Sequence, residues 1–122
     1  MVKRFDEVKT RDARALQIWQ ILIGCPHNRQ IISYETLGGT LGFKGFGVMG
    51  HFLDPLMCYC AQQGLPPLTV LVVGKYSGTP GDGLALKSSP AEERERVYDY
   101  PWYSIYPPTE AELATAIAKG MP

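Results

Sequence analysis

Apolar and polar positions alternate along this chain in three ways: helical spacing at both ends, short glycine-punctuated blocks in the middle, and one continuous apolar run. In "TRDARALQIWQILIG", Leu16, Trp19, Leu22 and Ile23 recur at helical spacing and predict one apolar face. Thr10 fits the N-cap, Asp12 suits the positive helix start, and Gly24 is placed to stop it. "CPHNR" reads as a turn and "QII" as a short strand. Ser33 then reads as the N-cap of "YETLGGTLG", with Glu35 in the first turn. "FGVMGHFL" predicts a second short helix that stops or kinks at Asp54–Pro55, because proline disrupts a helix interior. Asp54 as N-cap and Pro55 at the first position would open a third, "PLMCYCAQQ", closed by Gly64. The β-branched run "LTVLVV" predicts a strand, "YSGTPGDG" a turn, and "LAL" the returning strand of a hairpin. "YDYPWYSIY" is proline-broken and reads as extended. In "PPTEAELATAIAKG", Thr109 and Glu112 match a capping box, Leu113 and Ile117 share a face, and Gly120 ends the helix.

Helix, short helices, hairpin and tail outline a small α+β winged helix-turn-helix with a β-hairpin wing and a C-terminal helix. At 122 residues, one domain spanning 1–122 is expected. Lys plus Arg and Asp plus Glu both number 12, which argues against a binder driven by many phosphate contacts. Basic groups gather in residues 1–14 and acidic ones in the last third, while the middle is nearly uncharged. No run approaches the roughly 18 apolar residues of a membrane span, and no signal-peptide pattern opens the chain. The odd count of cysteines (Cys25, Cys58 and Cys60) suits a reducing, cytoplasmic setting.

"LQIWQILIGCPHNRQIISYETLGGTLG" resembles the DNA-binding domain of alkylguanine-DNA alkyltransferases and alkyltransferase-like proteins. Trp19, Ser33, Tyr34, Leu37 and Gly42 fall where that family's pattern wants them. Gly50 looks like the glycine of the family's Arg-Ala-Val-Gly helix. "PPLTVLVVGKYSGTPGDG" looks like the strand and wing that carry Pro-Cys-His-Arg-Val. The resemblance spans roughly residues 15–83, with an insertion near 54–63, and leaves 84–122 as an extended aromatic arm and helix. Two departures bear on function. The family's reactive cysteine would fall near Val72 or Val73, so alkyl transfer, which needs a thiolate, is not expected. The arginine that the family inserts into the base stack aligns with Gly47, which cannot wedge a duplex open. Tyr34 matches the tyrosine that, in the family, helps to rotate the target phosphate.

Isolated motifs add little. "GKYSGTPGDG" lacks the spacing of a phosphate-binding P-loop, and Pro80, Gly81 and Gly83 suit a turn. Cys25 and His27 could form a nucleophile pair, but neighbours two apart in a turn rarely point together. Cys58 and Cys60 sit about 200° apart around a helix, so they read as packing residues and no metal site is expected. No cofactor is implied. The expected function is therefore a non-enzymatic DNA-binding module contacting duplex DNA through Tyr34, Lys44, Gly47, His51 and Lys75. The alternative is a protein-interaction or inhibitor module that reuses the fold and binds through Tyr100, Trp102 and Tyr103, since Tyr and Trp dominate binding hot spots. One structural observation separates the two. A basic patch uniting the N-terminal arm with Lys44 and Lys75 would favour DNA, and a contiguous apolar patch exposed on the recognition helix or around Trp102 would favour a protein.

Overall fold

Thr10 caps the first helix by accepting a hydrogen bond from the Ala13 amide, and α1 runs Arg11–Leu22. The computed structural model describes residues 1–5, 10–43, 48–79 and 86–122. Within them β1 (Ile32–Ser33), α2 (Tyr34–Leu41), α3 (Met49–Gln62), β2 (Val72–Val73), α4 (Pro90–Asp99) and α5 (Glu110–Lys119) follow α1. Short 3-10 turns occupy Pro26–Asn28, Leu68–Leu71 and Trp102–Ser104. The chain is thus mostly helical among the described residues, with one small parallel sheet: Ile32 pairs with Val72 and Ser33 with Val73.

Helices α1, α3 and α5 pack on one another, α2 lies on the two strands, and α4 lies against the Leu68–Leu71 turn. Their common core holds Ile18, Trp19 and Leu22 of α1, Leu37 of α2, Leu56 and Cys60 of α3, Val97 of α4 and Leu113 of α5. The buried side of α1 includes Ile18, whereas Leu16 and Ile23, expected on the apolar face, are only partly buried. Caps at Ser33, Thr109 and Gly120 follow the sequence expectation, and the Thr109–Glu112 capping box makes both of its bonds. Gly42 ends α2 at φ 75°, a left-handed conformation that glycine adopts without the usual Cβ penalty. Gln62 Nε2 donates to the Ala116 and Gly120 carbonyls, tying the end of α3 to the end of α5.

Three sequence expectations change. The first concerns Pro55, which opens no new helix because α3 runs through it. Proline has no N–H for the carbonyl one turn earlier, that of His51. Arg11 supplies the missing donor: its Nε lies 2.7 Å from the His51 oxygen, and its Nη2 pairs with Asp54 at 3.4 Å. The second concerns "LTVLVV", which becomes a 3-10 turn over Leu68–Leu71 and only a two-residue strand. That strand pairs in parallel with β1, so the sheet among the described residues is not a hairpin. Pro80, Gly81, Gly83 and most of the expected returning strand lie outside the described residues, and Leu86 is in no strand. Third, "SSPAEERERVYDY" contains helix α4, with Ser89 accepting from the Glu92 amide as N-cap and Pro90 at the first position. Tyr98 is therefore helical and Trp102 lies in a 3-10 turn, where an extended arm was expected. Gly64 closes α3 as expected, in the left-handed region at φ 69° one residue past the C-cap Gln63.

Glu93 of α4 is almost completely buried, at 1% exposure. Its carboxylate accepts from Ser88 Oγ at 2.6 Å and from Arg96 Nη1 at 3.0 and 3.2 Å. A buried carboxylate needs such partners, because desolvation otherwise disfavours the folded state. Arg96→Ala is expected to lower stability by about 1–2 kcal/mol, less than a fully buried pair because Arg96 is half exposed. Urea unfolding measures this, and an unchanged midpoint would show that Ser88 alone suffices.

A candidate interaction groove

Ile23 caps the end of α1, and the chain turns tightly through Pro26–Asn28. The Asn28 and Gln30 amides both donate to the Cys25 carbonyl. Arg29 closes the turn in the left-handed region at φ 52°, unusual for a residue with a Cβ. From there its guanidinium lies 4.7 Å from the Tyr98 ring centre and pairs with Glu95. These contacts clamp the Pro26–Asn28 turn to α4.

The end of α4 forms the facing wall. Pro101 holds Tyr100 in an extended conformation, so the helix cannot continue. The Val97 carbonyl accepts from the Trp102 indole N–H at 2.7 Å and from the Tyr100 amide. Trp102 is buried, meeting Trp19 edge-on at 5.9 Å and Tyr100 at 4.7 Å between ring centres. Tyr103, next in the chain, is turned outwards at 69% exposure. Its ring centre lies 6.4 Å from that of His27.

A groove of about 410 Å³ opens between these walls, lined by Pro26, His27, Tyr98, Tyr100, Pro101 and Tyr103, with Ile23, Trp102 and Ser104 completing it. No lining residue carries a formal charge when His27 is neutral, and the adjacent Arg29 and Glu95 neutralise one another. Burial pushes the Tyr98 hydroxyl above its ordinary value, against the opposing influence of Arg94 and Arg29. All three residues expected to bind a protein partner thus meet here. Trp102 serves as the buried floor, while Tyr100 and Tyr103 meet the solvent side. His27 was considered beside Cys25 in sequence but not beside the tyrosines, since no local pattern relates the turn after α1 to the end of α4.

The residues expected to contact DNA are placed differently. Lys44 and Gly47 lie outside the described residues. Tyr34, at the start of α2, is partly buried and packs against the core. His51 is exposed on the first turn of α3, edge-on to Phe52 at 5.1 Å. Lys75 sits on a closed turn after β2, in which the Gly74 amide donates to Thr79 and the Gly78 amide to Gly74. Its ammonium lies 5.6 Å from the ring centre of Tyr76, which is 93% exposed. Two N-terminal arginines have structural partners. Arg11 completes α3, and Arg14 donates to the Leu41 carbonyl and lies over Phe43.

Burial dominates the surroundings of the three thiols. Burial raises the pKa of Cys25, Cys58 and Cys60, the last to about 12. Cys25 Sγ faces the Ile21 carbonyl while the His27 ring sits by Tyr103, so the two do not form a nucleophile–base pair. Val72 and Val73 are buried in β2. Among the described residues, no group of three His, Cys, Asp or Glu could hold a metal ion, and no helix is long and apolar enough to cross a membrane. No family model matches the chain, and no curated protein or solved structure matches it either.

Proposed function

We propose that this chain is a non-enzymatic protein-interaction module on an alkyltransferase-like winged-helix frame, a single domain working in a reducing cytoplasm. The observation that carries the reading is the uncharged aromatic groove around Trp102. Tyr100 and Tyr103 offer rigid amphipathic rings at low entropic cost, beside a tryptophan already fixed in place. Two of the cations that a basic patch would need, Arg11 and Arg14, are engaged with backbone carbonyls. The test is a photo-crosslinking side chain at position 103, with a second at exposed position 76 as control. An adduct of defined mass from an extract of the source cells at 103, absent at 76, is expected. Equal labelling at both positions, or none, would overturn the reading.

A second reading, duplex DNA binding, is favoured by one feature: exposed His51 opens α3, and exposed Lys75 follows β2. It requires an affinity that falls steeply with salt. If that affinity exists, the double variant His51→Glu, Lys75→Glu should weaken it about tenfold or more in fluorescence anisotropy at low salt. Salt-independent or undetectable binding would remove DNA as a partner.

A further inference from the structure

We propose that the first half of α3, Met49–Asp54, is a separately opening unit, hinged at Pro55 and latched by Arg11, whichever reading of the function holds. The two halves of this helix are held unequally. The first begins at Val48 without a side-chain cap and carries Gly50 in its first turn. Each of these features weakens a helix. The second half is fastened at several points. Leu56 and Cys60 are buried, Tyr59 meets Trp19 edge-on, and Gln62 bonds the Ala116 and Gly120 carbonyls at the end of α5.

Pro55 separates the halves. It leaves the His51 carbonyl without its helical partner, and its ring crowds that same oxygen. Arg11 Nε donates to the carbonyl at 2.7 Å, and Arg11 Nη2 meets the Asp54 carboxylate at 3.4 Å. Both contacts fall on the first half, and both come from one residue of α1. The ion pair is solvent-exposed on the Asp54 side and contributes little, whereas the bond to the carbonyl is charge-assisted. Met49 and Leu53 reach the core and Phe52 stacks on Phe43 at 5.2 Å, so the closed state dominates. Arg11 sets how often the segment opens from it. His51 and Phe52 ride on this unit, so a partner at that face of α3 meets a surface whose order depends on α1.

Amide hydrogen exchange of the full chain, followed by NMR, tests this in the parent, Arg11→Ala, Pro55→Ala and the double variant. The amides of Leu53, Asp54, Leu56 and Met57 bond to acceptors one turn back, inside the first half, whereas those of Cys60, Ala61 and Gln62 do not. In Arg11→Ala the first group is expected to exchange about tenfold faster, with the second unchanged. In the Pro55→Ala background the new amide bonds the His51 carbonyl, so removing Arg11 should then change exchange by less than about twofold. Asp54→Asn keeps the carbonyl bond and should stay within about twofold of the parent. The proposal is overturned by acceleration spread evenly over α1, α3 and α5 or loss of the fold in Arg11→Ala, or by no acceleration there. It is equally overturned if Arg11→Ala acts as strongly in the Pro55→Ala background, or if Asp54→Asn matches its effect.

Discussion

Trp19→Ala is expected to destabilise the fold by about 3–5 kcal/mol, the range for deleting a buried aromatic side chain. Trp19 is 2% exposed and central to the aromatic packing, meeting Tyr59 edge-on at 5.8 Å and Trp102 at 5.9 Å. Its loss removes transfer free energy and leaves a cavity that helices α1 and α3 cannot both close. Against a typical total of about 5–15 kcal/mol, that is a large fraction of the fold's stability. Urea unfolding at 25 °C measures it, and a loss below about 1 kcal/mol would show that the core is not packed around this residue. The effect reaches the groove, because Trp19 supports Trp102 from below. Any surviving folded Trp19→Ala should therefore bind a groove ligand more weakly, even though Trp19 does not line the groove.

Alkaline pH is expected to produce the second large effect, through Cys60. Burial raises this thiol from the ordinary 9.0 to about 12, with the Leu68 backbone hydrogen bond opposing in part. Below pH 9 both folded and unfolded chains hold the proton, and Cys60 adds no pH dependence. Between about pH 9 and 12 the unfolded thiol ionises while the folded one stays protonated. The unfolded chain then binds fewer protons, so stability falls as pH rises. The slope is about 1.4 kcal/mol per pH unit, or roughly 4 kcal/mol by pH 12. The tyrosines titrate in the same region, so the informative quantity is the difference between the parent and Cys60→Ala. That difference should shrink with rising pH as the parent loses stability faster. A difference independent of pH from 8 to 11 would rule out the buried neutral thiol as the cause.

Helix ends were the most legible part of the structure, because a cap is a local bond between residues three apart. Thr10, Ser33 and Thr109 each accept the amide that their position implies. Helix α4 carries the same local signal, Ser89 before Pro90 with Glu92 following, just ahead of a proline-broken aromatic stretch that by itself reads as extended. Pro55 shows the opposite case. Its local meaning is a helix break, and the break is averted by Arg11, a residue far away in sequence whose guanidinium replaces the absent amide. No window of sequence around Pro55 contains that donor. The strand at Val72–Val73 is similar: β-branched composition marked it as extended, but its partner and its parallel direction depend on where β1 lies.

The candidate site divides along the same line. Tyrosine and tryptophan near residue 100 could be recognised from sequence as potential binding groups, because their chemistry is a property of the side chains alone. The opposite wall could not. Pro26 and His27 reach the tyrosines because Arg29 bends left-handed and binds both the Tyr98 face and Glu95, and Trp102 becomes a floor because its indole donates to Val97. Sequence by itself determined the helix caps, the terminal helices, the absence of a cysteine near Val72–Val73 and the supply of aromatic rings, all of which are set by residue type or near-neighbour bonds. Tertiary structure decided the continuity of α3, the pairing of the strands and the existence of the groove, because each rests on contacts between residues that only the folded chain brings within hydrogen-bonding or van der Waals reach.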